Sequence, residues 1–178
     1  MFILYGSCTG KAGVQASKRV NPGTPVEHYH REYPMGDLNN DKVQDTAVVV
    51  FDMMYDPEEC VDPLCKVEIR FSGTLPSFTM DMSMGAFAVK TEDLNNDSAN
   101  ELLLISRTWE GMWNRVYVKS FKNKKWETLA EGKIFGIDDE DFENRIVKKG
   151  PNEFILVVDE YNTETTEYVR TDKTIKTK

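Results

Sequence analysis

The chain has 178 residues and a formal net charge of −8, with 29% charged and 40% apolar residues. That length carries one well-cored domain and excludes two independent enzymes, and the apolar fraction excludes a disordered chain. An acidic chain without clustered Lys and Arg excludes a nucleic-acid partner, and the run KNKK at Lys122–Lys125 reads as a solvated turn.

The opening MFILYGSC resembles the tail of a bacterial lipoprotein signal, with Cys8 as the lipidated residue. It has no basic segment, and its five apolar residues fall short of the roughly 7–15 of a working signal core. Residues 1–26 are thus expected to be a truncated signal-like segment and a flexible tether rich in Gly, Lys, Ser and Pro. Residues 27–178 form a single repeat domain in this reading. The implied location is exported: periplasmic, outer-membrane or cell-surface, touching the membrane only through a lipid anchor. No other segment approaches the roughly 18 apolar residues of a membrane span.

Next come His28 and His30, which share one face of an extended segment but lack further convergent ligands and read as surface residues. From there the chain alternates with period 2, in DTAVVVFDM, KVEIRFSG, SFTMDMSM, AFAVKTED, ELLLISRT, RVYVKSF, WETLAEGK, NRIVKKG, EFILVVDEY and TEYVRTDKTI. Turn-forming Gly, Pro, Asn and Asp separate these segments. The expected fold class is all-β and antiparallel.

Two of the strands are announced by the same words, GDLNNDKVQDTAVVV from Gly36 and EDLNNDSANELLLIS from Glu92. A third unit, VKKGPNEFILVV, keeps the strand and loses the acidic loop. Repetition of this kind predicts blade-like sheets, about three of them, forming a partial β-propeller or prism-like domain. Closed rings typically need about four to eight blades, so the unit either stays open or is completed by a second chain.

Within each loop, oxygen side chains alternate. The first offers Asp37, Asn39, Asp41, the Val43 carbonyl and Asp45; the second offers Asp93, Asn95, Asp97, the Ala99 carbonyl and Glu101. An all-oxygen set of this size suits Ca²⁺ better than a transition metal. The competing reading is an Asx turn that satisfies its own backbone without metal. An EF-hand is disfavoured, since Val48 and Leu104 stand where it needs a bidentate Glu.

The two loops and their strands resemble the FG-GAP or VCBS-type repeats of integrin-like β-propellers. That resemblance implies Ca²⁺ held between strands and a role in adhesion or binding. The family prefers Gly where Lys42 and Ser98 stand, so Asn40 and Asn96 are expected to supply the left-handed turn. With Lys42 beside it, the first site is expected to be the weaker.

Of the remaining features, Cys60 and Cys65 flank a turn with Pro63 and are expected to form a disulfide in an exported protein. Met80, Met82 and Met84 read as core filling on one strand face. Trp109 and Trp113 flank a hairpin tip and are candidates for binding a glycan or protein partner, against the reading that they fold back over a sheet edge. The acids from Asp138 to Glu143 are the only ones that suggest a small envelope hydrolase, and no catalytic motif accompanies them. The favoured reading is a calcium-stabilised, non-catalytic binding or structural module of the bacterial envelope. The alternatives are that hydrolase and a metal-free β interaction domain.

Overall fold

The computed structural model describes residues 28–52, 65–136 and 142–177. These form eleven strands: β1 (His28–Gly36), β2 (Asp45–Asp52), β3 (Lys66–Phe71), β4 (Phe78–Asp81), β5 (Gly85–Lys90), β6 (Leu102–Arg107), β7 (Trp113–Lys122), β8 (Lys125–Phe135), β9 (Ile146–Gly150), β10 (Glu153–Asn162) and β11 (Glu167–Lys176). A single 3-10 turn, Glu143–Arg145, precedes β9. Each sheet is an antiparallel meander in chain order: sheet A is β1-β2-β3-β4, sheet B is β5-β6-β7-β8, and sheet C is β9-β10-β11. The all-β expectation therefore holds.

Burial explains why β6 is an almost unbroken apolar run. Every residue of β6 from Leu102 to Ser106 is buried. Leu102 and Leu104 pack with Ala47, Val49, Val67 and Ile69 of sheet A. Leu103 and Ile105 pack instead with Phe154, Leu156 and Val158 of sheet C. A strand covered on both faces has no polar side to show, so its run is uninterrupted, whereas β2 alternates buried and half-buried residues because one face is open. Gly132 of β8 makes the close approach of sheet C to sheet B feasible. A Cβ there would lie 2.3 Å from Val158 Cγ1.

The N-terminal strand β1, largely exposed apart from Met35 and Gly36, was not among the predicted strands. The methionine stripe also differs from expectation. β4 ends at Asp81, and Met82 turns the chain with φ 54°. Met80 therefore packs on the A–B core, Met82 is exposed, and Met84 is buried beside Cys65. Cys65 is disulfide-bonded; Cys60 and Cys8 lie outside the described residues, as do Asp138–Asp141.

Candidate metal centre

Both acidic loops join the first two strands of a sheet, and they adopt one conformation. Asn40 and Asn96 each have φ 59°, and Lys42 and Ser98 follow at 69° and 71°. Asn tolerates this left-handed region, so the expected turn residue is in place. Ser and Lys tolerate it less well, which explains the appeal of Gly at that position. Ser98→Gly is accordingly expected to raise stability by roughly 0.5–1 kcal/mol, read as a higher urea midpoint at unchanged slope. A lower midpoint would mean that the Ser98 side chain contributes more than its backbone strain costs.

Side-chain oxygens organise the backbone of the two loops through four matching pairs of bonds. Asp37 Oδ2 accepts from Lys42 N–H at 2.8 Å, and Asp93 Oδ2 accepts from Ser98 N–H at 2.9 Å. Asn39 and Asn95 accept from the N–H two residues on, each at 3.0 Å. Asp41 Oδ1 takes Val43 N–H at 2.8 Å, and Asp97 Oδ1 takes Ala99 N–H at 3.0 Å. The closing acid reaches back to the leucine amide, Asp45 to Leu38 at 2.8 Å and Glu101 to Leu94 at 2.5 Å.

The copies diverge in burial and in the fate of one amide. In the first loop, Asn39 Nδ2 donates to Asp41 Oδ2 at 3.0 Å, so that oxygen is held within the loop. Asp41 and Val43 are exposed. In the second, Asn95 Nδ2 is drawn out of the loop to Ser120 Oγ of β7 at 2.9 Å. Asp93 and Asp97 are half-buried, and Asn95, Ala99 and Glu101 are buried. Asp93, Asp97 and Glu101 each present an oxygen within 4.8 Å of the others, the only such group of acidic, His or Cys side chains among the described residues.

Glu101 is the unusual member. It is 0% exposed, and its Oε1 has no hydrogen-bond partner. Burial pushes its carboxyl up to about 7; the Leu94 amide opposes this, the charges of Asp97 and Asp93 add to it, and the nearby Ser120 hydroxyl opposes it. Asp45 is shifted in the same direction, chiefly by burial, against the Leu38 amide and with the charges of Asp41 and Asp37. A buried carboxylate oxygen lacking a donor is costly, and a proton or a hard divalent cation relieves that cost. The donor set is all oxygen. The residues present therefore fit Ca²⁺.

The loop also sits where the three sheets meet. Asn100 N–H donates to the Asp37 carbonyl at 2.7 Å, tying the two loops together. Lys148 of β9 reaches the Asp93 carbonyl and lies 3.7 Å from the Glu92 carboxylate. Ser120 anchors the loop to β7. These long-range ties were absent from the sequence reading, because nothing in the local string announces Ser120 or Lys148. In the third unit the loop is replaced by the turn Pro151–Asn152, and Glu153, the counterpart of Glu101, points outward to Lys176 at 3.9 Å.

The two candidate tryptophans separate. Trp113 packs edge-on against Phe135 and Tyr168, with centroids 5.3 Å away in both cases. Trp109 is 51% exposed. His30 is exposed, and His28 Nδ1 lies 2.6 Å from Asp52 Oδ1.

No protein-family model matches the chain, and no curated protein or solved structure matches it either.

Proposed function

We propose that this chain is a calcium-stabilised, non-catalytic binding module of the bacterial cell envelope, in which a cation at the second acidic loop clamps three blade-like sheets together. The observation that carries this reading is the convergence of Asp93, Asp97 and Glu101 with Glu101 Oε1 buried and unpartnered. Asn95 and the Ala99 carbonyl would complete the set of oxygens. When bound, Ca²⁺ would supply charge compensation and rigidity, not chemistry. The chain's own residues hold the geometry: loop amides orient Asp93 and Asp97, Ser120 turns the Asn95 amide outward, and Lys148 ties the loop to sheet C.

Stacked four-stranded meanders with acidic loops at equivalent corners support the likeness to FG-GAP or VCBS-type blades. The third sheet, with three strands and no acidic loop, departs from that pattern. The disulfide at Cys65 supports an oxidising compartment, in keeping with the lipoprotein-like start at Cys8. The first loop, whose Asp41 is held by Asn39, is a self-satisfied turn or a weaker site.

Calorimetric titration of chelator-stripped protein with Ca²⁺ tests the clamp. One dominant site is expected, abolished by Asp97→Ala and retained in Asp41→Ala. Absence of saturable heat at millimolar Ca²⁺, or a site that survives Asp97→Ala, would defeat the assignment.

A further inference from the structure

Sheets A and B are packed through β1, β2 and β5 and again where Trp126 of β8 stacks on Phe71 of β3; beside that packing, between the end of β4 and the β6–β7 hairpin, lies a cleft of about 370 Å³. Its floor is the face of β7 and β6 that carries Arg115, Tyr117 and Ser106, paired in register as Ser106–Arg115 and Leu104–Tyr117. Met82 and Asp81, at the end of β4, make one wall; the β6–β7 hairpin, with Trp109 and Glu110, makes the other. A second hollow of about 220 Å³ continues along β7 and β8, sharing Arg115 and Tyr117 and adding Glu131 and Lys133. The first hollow falls in the range of small-molecule sites, about 300–1,000 Å³.

Three features specify the occupant. First, the floor is the face of β7, whose backbone is paired on both sides with β6 and β8; recognition there falls to side chains and not to an added peptide strand. Second, charges of the two signs balance around the cleft. Lys66 lies 3.7 Å from Asp81, Arg115 lies 3.7 Å from Glu110, and Lys133 lies 2.9 Å from Glu110. Such a surface attracts neither a polyanion nor a polycation, yet it offers fixed acceptors and a forked donor for hydroxyl groups. Third, an indole that is half exposed, without an aromatic partner among the described residues, borders these polar groups. Met82, on the opposite wall, is exposed and held at φ 54°, a strained conformation of the kind that clusters at ligand sites.

Flat aromatic faces beside planar carboxylate and guanidinium groups match one ligand chemistry, a ring with C–H faces and a rim of hydroxyls. We infer that the cleft between sheets A and B binds a neutral oligosaccharide, with one sugar ring on Trp109 and the next toward Arg115 and Lys133. This rests on reading the chain as a binding module and is independent of the calcium clamp.

The test is titration of the full chain, in calcium, with cellotetraose, chitotetraose and maltotetraose, with tetragalacturonate as the acidic comparator. At least one neutral tetramer is expected to bind and to perturb tryptophan fluorescence. Trp109→Ala is expected to weaken it about tenfold, and Arg115→Gln to weaken it as well. Tyr161→Ala, an exposed aromatic on sheet C, leaves it unchanged. Binding by none of the neutral tetramers, binding by the acidic one alone, or affinity indifferent to Trp109→Ala overturns the inference. Because Trp109 is half exposed and lies at the opposite end of β6 from Glu101, its variant keeps the calcium-induced rise in melting temperature; the two proposals therefore fail separately.

Discussion

Calcium at about a hundred times its dissociation constant is expected to stabilise the stripped protein by about 2.7 kcal/mol, or roughly 5–10 °C in melting temperature for a domain of this size. Glu101→Gln should abolish that gain while leaving the calcium-free protein as stable as its parent or more so. The signs differ because Glu101 plays opposite parts in the two states. Without a cation, its carboxyl is buried, raised to about 7, and close to Asp93 and Asp97. A Gln of the same shape can accept from Leu94 N–H and donate toward those carboxylates, which removes a buried charge at no cost in volume. With a cation, the lost carboxylate is a lost ligand. Thermal melts of both proteins with chelator and with calcium measure the two signs. A variant that loses stability equally in both conditions would make Glu101 a structural acceptor and nothing more.

Asp159→Ala should cost roughly 3–5 kcal/mol, with no dependence on calcium. Asp159 and Arg145 form a pair at 2.9 Å with side chains 7% and 8% exposed, and the second Asp159 oxygen accepts Phe135 N–H at 2.8 Å. One carboxylate thus joins the end of β8, the 3-10 turn and β10. Removing it leaves a buried guanidinium whose Nε already lacks a partner, and an orphaned amide on β8. Replacing both Asp159 and Arg145 by Leu should recover most of the loss, since the penalty comes from the unpaired charge. Urea unfolding of the single and double variants decides it; a single-variant cost below about 1 kcal/mol would show that water reaches the pair.

What could be read in advance follows the range of the interactions. The loop conformation is built from bonds between residues two to seven apart, such as Ser98 to Asp93 and Leu94 to Glu101, so a nine-residue string was enough to expect it. The run of β6 was equally legible, because burial on both faces removes polar residues. β1 was missed for the converse reason: it is an exposed edge strand, polar along most of its length and interrupted by Pro34. Met82 broke the expected stripe because a positive φ, not the alternation, sets its direction. Tertiary partners were invisible. Nothing in DLNND names Ser120, which separates the two loops chemically, or Lys148, which ties the second to sheet C. Nor does spacing distinguish Trp113, packed against Phe135 and Tyr168, from Trp109, left at the cleft.

The most direct test of the clamp is a crystal structure grown in saturating calcium. A single well-occupied ion is expected at the second loop, held by Asp93, Asn95, Asp97, the Ala99 carbonyl and Glu101 Oε1 at about 2.3–2.6 Å, with the first loop empty or weakly filled. A second loop without an ion under those conditions, with Glu101 Oε1 satisfied by a proton or a water, would contradict it.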